Sequence, residues 1–217
     1  LAFTVGAQAG LAAFGALIHY ILIVSSVGVV IGLLAYPVAV IGGRVPLFRF
    51  ARAVAPAQAV ALSTESSLAS LPAMLRGAET LGIPVATSGV VLPLATAIFR
   101  ATSPAMNLAV AIYVAHWFGV PLTVTSLATG VAVAAITTLG SVSLPGQISY
   151  VASIAPIGIA MGVPIAPLGL LVAVETLPDI VRTVGNVTMD LAVTATVAAR
   201  GPAPHFDEGD ALLSEDS

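Results

Sequence analysis

Six residues close to the C-terminal end have the types and spacing to do chemistry: Glu175, Asp179, Arg182, Thr183, Asn186 and Asp190. They fall at offsets of 0, 4, 7, 8, 11 and 15, which on a 3.6-residue period defines one helical face. A guanidinium is a planar fork of donors that matches a carboxylate, and a carboxylate is a counter-charge for an ammonium. Such a face suits a small charged solute and its counter-ions. A plainer reading stands beside it, in which Asp179 and Arg182 form an i,i+3 pair that only holds helices together. Thr183, Asn186 and Asp190 continue the line beyond what a packing pair requires.

The surroundings of this face are apolar. Of 217 residues, 58% are hydrophobic and 8% charged, against roughly a quarter charged in ordinary soluble domains. That is too few charges for the polar shell a water-soluble domain needs. Each charge at mid-membrane costs about 2.5–3.5 kcal/mol on insertion scales, so the stripe must face protein, water, solute or ions rather than lipid. Lysine is absent, and the net charge of −3 comes largely from Asp207, Glu208, Asp210, Glu215 and Asp216. Residues 201–217 therefore read as an acidic, disordered cytoplasmic tail. The seven arginines are scattered, which excludes a nucleic-acid surface. Zero cysteines excludes disulfides and thiolate chemistry. There is no HExxH, nucleophile elbow or Ser/His/Asp arrangement, so no enzyme is expected. The chain begins at Leu1 without a signal-peptide pattern, which reads as a fragment or a processed piece.

A bilayer core is about 30 Å thick and takes roughly 20 apolar residues to span as a helix. Five stretches meet that solvent. Residues 10–41 are one long span, interrupted by His19 and Tyr20. Residues 48–80 form two short arms around Ser63, Thr64, Glu65, Ser66 and Ser67. Residues 83–120 are long enough to cross but broken in the middle, where the chain reads from Ala95 through Arg100 to Pro104. Residues 122–161 repeat the hairpin form around 140–146, and residues 165–200 form a long final helix that Pro178 is expected to kink. Arg44, Arg49, Arg52, Arg76 and Arg200 fall on one side of the membrane only if both hairpins are re-entrant. Both tips carry Ser-Leu-Pro, at Ser70-Leu71-Pro72 and Ser143-Leu144-Pro145, the trace of an inverted repeat. The fold class expected is thus an all-α, multi-pass membrane protein of two re-entrant helical hairpins packed with broken and long transmembrane helices.

The stretch from Asp179 through Arg182-Thr183 and Asn186 to Asp190 resembles the last-helix signature of the dicarboxylate/amino acid:cation symporters, Asp-x-x-Arg-Thr-x-x-Asn-Val-x-Gly-Asp. Ser66-Ser67 with Ser70-Leu71-Pro72 is similar to that family's first hairpin tip, Ser143-Leu144-Pro145-Gly146 to its second, and Leu92-Pro93-Leu94 to the start of its broken seventh helix. The resemblance implies a substrate-binding transport domain over residues 1–200, incomplete at its N-terminus, within a protein that is a homotrimer when whole and sits in the cytoplasmic membrane. It implies a secondary transporter of an anionic amino acid or dicarboxylate working by alternating access, coupled to Na⁺ or H⁺ and without an organic cofactor. Asp179 would receive an amine and Arg182 a carboxylate, with Thr183 and Asn186 hydrogen-bonding the solute. The backbone around Ser66, Ser67, Ser143, Leu144, Pro145 and Gly146 would complete the cage, and Asn186 with Asp190 would hold Na⁺. The tip serines also read as ordinary turn residues.

One hallmark is missing. Where the family has Asn-Met-Asp-Gly-Thr, this chain has Phe99-Arg100-Ala101-Thr102-Ser103. Arg100 then reads as a fixed positive charge where relatives bind sodium, with Glu65 as its partner across the break. The alternatives are a sodium-independent exchanger with an altered substrate, or a transport-inactive membrane piece. His19 and His116 read as interfacial or packing residues rather than proton relays.

Overall fold

In a computed structural model of the protein, the backbone is described over residues 2–140 and 146–201, and side chains over residues 14–139 and 149–201. The described residues form helices and turns, with no strand among them. Helix α1 (Ala2–Pro37) is apolar all round, and where Pro37 offers no amide hydrogen the chain continues as a π-helical turn, Val38–Gly42. Helices α2 (Leu47–Thr64) and α3 (Leu71–Thr80) have 18 and 10 residues. Arg49 Nη2 of α2 donates to the carbonyl of Thr80 at 3.1 Å, so the end of α3 returns to the start of α2 and the pair is an antiparallel hairpin. Its tip turns where Glu65 adopts a left-handed φ of 51°, and Pro72 then occupies the first turn of α3, where a missing amide hydrogen costs nothing.

The next region is broken as its composition requires. Helix α4 (Val85–Leu94) runs into a π-helical turn, Ala95–Phe99, which stops at Arg100 with φ 31° before α5 (Ser103–Trp117) begins. Helices α6 (Val124–Gly140) and α7 (Gly146–Met161) pack on each other as a second helical pair. The Ser143, Leu144 and Pro145 positions between them lie outside the described residues, as do the side chain surroundings of Gly146 and residues 202–217.

The final stretch differs from one continuous kinked helix. A short α8 (Leu168–Leu171) and a 3₁₀ turn (Val172–Val174) precede α9 (Thr176–Arg200). Pro178 therefore lies in the first turn of α9, where helical amides have no intrahelical acceptor, and the expected kink gives way to a helix start.

Helix α9 is the hub, packed against α1, α2, α3 and α4. Its approach to α1 depends on Gly32, where a Cβ would sit 3.2 Å from Gly185 Cα, while Gly185 makes room for the break before α5, since a Cβ there would sit only 2.5 Å from Thr102 Cγ2. Small residues at a crossing let backbones meet closely, the usual device where lipid supplies no hydrophobic drive between helices. Two apolar clusters flank the polar part of α9. One gathers Phe50, Met74, Leu92 and Leu191, and the other Tyr20, Met106, Ile154, Ile157 and Leu171. Outward side chains such as Leu22, Val30, Leu33 and Ile41 are apolar too. The stretches Phe14–Gly42 and Val85–Trp117 are long and apolar enough to cross a bilayer by length and composition.

Candidate functional site

The polar stripe of α9 is turned inward. Glu175, Asp179, Arg182, Thr183, Asn186 and Asp190 are all buried, so the face deduced from spacing is a real face and it avoids the exterior. Arg182 is its centre. Nη1 lies 2.6 Å from Glu175 Oε1 and donates to Asp179 Oδ1 at 2.7 Å. Nε and Nη2 have no hydrogen-bond partner among the described residues. One edge of the guanidinium is thus neutralised and the other, a two-pronged donor edge, is left for something else. Burying such donors unsatisfied is costly, on the order of 1–3 kcal/mol or more for a charged group.

Arg182 also borders a small polar cavity of about 10 Å³, room for one water molecule. Asp179 and Arg182 line it from α9, Arg100 from the break, and Ser103 and Asn107 from α5. Ser149, Tyr150 and Ser153 of α7 close it, which brings the second helical pair to the stripe. A larger cavity of about 320 Å³ lies between α1, α2 and α9, lined by Leu33, Leu62, Val181 and Val184 with Gln58 and Thr188 as polar members. It offers no charge to an ion, whereas Arg100, Asp179 and Arg182 line the small one.

Asn186 does a different job from Arg182. Its Oδ1 accepts from the Thr102 backbone N–H at 2.9 Å and lies 2.7 Å from Thr102 Oγ1, which also reaches the Arg182 carbonyl at 2.8 Å. Its Nδ2 donates to Ser103 Oγ at 3.1 Å. Asn186 therefore docks the start of α5 onto α9, satisfying backbone that the break would otherwise leave bare. Asp190 is fully buried, and neither oxygen receives a hydrogen bond among the described residues. The Arg100 guanidinium lies within electrostatic reach of Asp190, Asp179 and Arg182. No cluster of three His, Asp or Glu residues suited to a metal ion occurs among the described residues.

The first hairpin tip reaches the same region through Glu65, which feels the charge of Asp179. The left-handed turn at Glu65 caps α2, and its side chain stays only half-buried at the tip. Ser66 and Ser67 serve their own turn, where Ser66 Oγ accepts from the Ala69 amide at 3.2 Å and Ser70 Oγ donates to the Ser66 carbonyl at 3.0 Å. His19 lies on the exterior against the Tyr113 hydroxyl at 3.2 Å, and His116 is exposed near the end of α5. Tyr20, Thr102, Ser103, Asn107 and Tyr150 are members of the site that spacing alone did not single out. Only the clustering of Thr102 and Ser103 at the break, two small hydroxyl residues beside a disrupted ladder, was a usable signal.

The model of the sodium:dicarboxylate symporter family matches residues 1–200. The chain belongs to that family. It is a family of transporters, not enzymes. Among curated relatives, the C4-dicarboxylate transport protein 1 of Pseudomonas aeruginosa (strain UCBPP-PA14) is 31% identical over 140 residues, 64% of this chain and 31% of that protein. The proton/sodium-glutamate symport protein of Bacillus subtilis (strain 168) is 30% identical over 180 residues, 80% of this chain and 41% of the relative. The proton/glutamate-aspartate symporter of Escherichia coli (strain K12) is 27% identical over 139 residues, 64% and 31% of the two chains. The chain thus spans between about a third and two fifths of the length of these relatives.

Proposed function

We propose that this chain is the substrate-binding part of a secondary transporter that carries an anionic amino acid or dicarboxylate across the cytoplasmic membrane by alternating access. The observation that carries the reading is the buried Arg182, which borders a polar cavity and has a two-pronged donor edge, Nε and Nη2, without a hydrogen-bond partner among the described residues. A solute carboxylate fits that edge bidentately. Asp179, which lines the same cavity beside Arg182, offers a counter-charge to an amine, and Thr183 stands on the same buried face. In this reading the two helical pairs are re-entrant hairpins related as an inverted repeat, and their tips, around Ser66 and Ser67 and around Ser143 to Gly146, close over the solute. Residues 1–200 move as part of a transport domain, residues 201–217 are a cytoplasmic tail, and the whole protein assembles as a homotrimer in lipid.

Coupling to Na⁺ or H⁺ accompanies this reading, because the relatives are named for proton and sodium symport. The buried cluster itself supports a cation partner: the carboxyl groups of Glu175, Asp179 and Asp190 outnumber the guanidiniums of Arg100 and Arg182, and an anionic solute adds to the excess. Asp190, with Asn186 near it in sequence, is the proposed cation position. A second reading has its own observation. Arg100 already brings a positive charge toward Asp190, and Asn186 Oδ1 is occupied by Thr102, so Arg100 stands in for one bound cation. Uptake of L-aspartate and succinate into proteoliposomes, with and without sodium and proton gradients, tests both. Uptake that persists without sodium supports Arg100 as a substitute; strict sodium dependence defeats it, and absence of any uptake defeats the transporter reading.

A further inference from the structure

A guanidinium meets a carboxylate end-on through Nη1 and Nη2, or side-on through Nε and Nη2. For Arg182 the first mode is closed, because Nη1 already lies 2.6 Å from Glu175 Oε1 and 2.7 Å from Asp179 Oδ1. The second is open, since Nε and Nη2 have no hydrogen-bond partner among the described residues. Glu175 does not line the cavity, yet it is completely buried. It is gripped from the far side. Tyr20 Oη of α1 donates to Glu175 Oε2 at 3.2 Å and receives a 2.8 Å hydrogen bond from Tyr150 Oη of α7. Glu175 Oε2 is held by the Tyr20 hydroxyl and Oε1, which has no hydrogen bond of its own, by the ion pair with Arg182 Nη1, so the buried carboxylate is gripped from both sides and the guanidinium paired with it is held in turn.

We propose that Glu175 is a positioning residue that turns Arg182 so that its Nε and Nη2 edge meets the solute carboxylate, and that the Tyr20 and Tyr150 hydroxyls tie this orientation to α7. The assignment rests on reading Arg182 as the carboxylate receptor. Tyr150 borders the cavity while its hydroxyl belongs to the chain of bonds that ends at Arg182. A displacement of α7 therefore changes the grip on Glu175 before it touches Arg182, which makes solute affinity sensitive to the position of the second helical pair.

The test is calorimetric titration of L-aspartate and of succinate into the purified protein in lipid nanodiscs, at fixed sodium and pH, with thermal unfolding of each variant in parallel. Glu175→Ala is expected to weaken binding roughly tenfold, as loss of a supporting residue around a charged site does. Tyr20→Phe is expected to weaken it several-fold. The double variant should lose no more than Glu175→Ala alone, because Tyr20 acts through Glu175. Glu175→Gln should recover most of the affinity: its amide oxygen still accepts from Arg182, while its NH₂ donates to Tyr20 Oη as the hydroxyl pair reverses direction. Lower melting temperatures with unchanged dissociation constants, or additive losses in the double variant, overturn the assignment. Should Glu175→Ala not fold, Tyr20→Phe decides, and an unchanged constant there overturns it. If the unmutated protein binds neither ligand, the proposed function fails and this assignment with it.

Discussion

Arg100 sits where two demands collide. Its backbone holds φ 31°, a region that costs a side-chain-bearing residue energy, and its half-buried guanidinium reaches toward Asp190, Asp179 and Arg182. Strain of that kind persists only where the surroundings over-determine it, which is the mark of a functional position. Arg100→Met removes the fixed charge and keeps the length of the side chain. Uptake by that variant should become more dependent on sodium, by roughly the tenfold that 1.4 kcal/mol of lost charge stabilisation represents; an unaltered sodium response would show that Arg100 substitutes for nothing. Asn186 makes a sharper stability prediction. Asn186→Ala leaves the Thr102 amide buried without its acceptor, so thermal unfolding should report a loss of about 1–3 kcal/mol. Spacing located these α9 residues because helical periodicity is local. Their partners were not legible: Tyr20 is 155 residues from Glu175 and 130 from Tyr150, and Thr102 is 84 from Asn186. No periodicity within one helix connects residues that far apart; packing of α1, α5 and α7 on α9 does.

Among the helices, the breaks were readable and the joints were not. The polar run around Glu65 and the stretch from Ala95 to Pro104 stop helices for reasons visible in composition: α2 ends and α3 begins on either side of the first, and α4 ends and α5 begins at the second. Pro178 misled because the effect of proline depends on where a helix begins, and the 3₁₀ turn at Val172–Val174 sets that start. The seating of α5 on α9 hangs on Gly185, whose missing side chain leaves room for Thr102. Gly185→Ala would place a methyl group 2.5 Å from Thr102 Cγ2, forcing α5 or α9 to move. Overpacking of this type costs about 1–3 kcal/mol. Denaturation of the variant in detergent should show that loss, together with weaker solute binding, since the same shift disturbs the bond from Thr102 to Asn186. Wild-type stability in Gly185→Ala would mean that the helices are not as closely seated as they stand here.

Over the whole molecule, apolar side chains cover the outside as well as the two clusters within, while the buried charges gather on the inner face of α9 and at its start. The absence of cysteine from the chain makes single-cysteine labelling direct. Ser67→Cys, at the first tip, and Ser143→Cys, between α6 and α7 in sequence, should react slowly with a membrane-impermeant thiol reagent and more slowly still with L-aspartate bound. Rapid, ligand-insensitive labelling of the two tips from opposite aqueous phases would mean that the helical pairs cross the membrane outright and do not enclose a solute.

Everything functional converges on the unoccupied edge of Arg182, and Arg182→Lys isolates it. Lysine keeps a positive charge beside Glu175 and Asp179, so the buried acids remain compensated, but it has no planar fork to present side-on. Calorimetric titration with L-aspartate and succinate should show affinity for both falling about a hundredfold, within the 2–5 kcal/mol that loss of a buried charged contact costs. Lysine and arginine forms with equal affinity for both ligands would contradict the account.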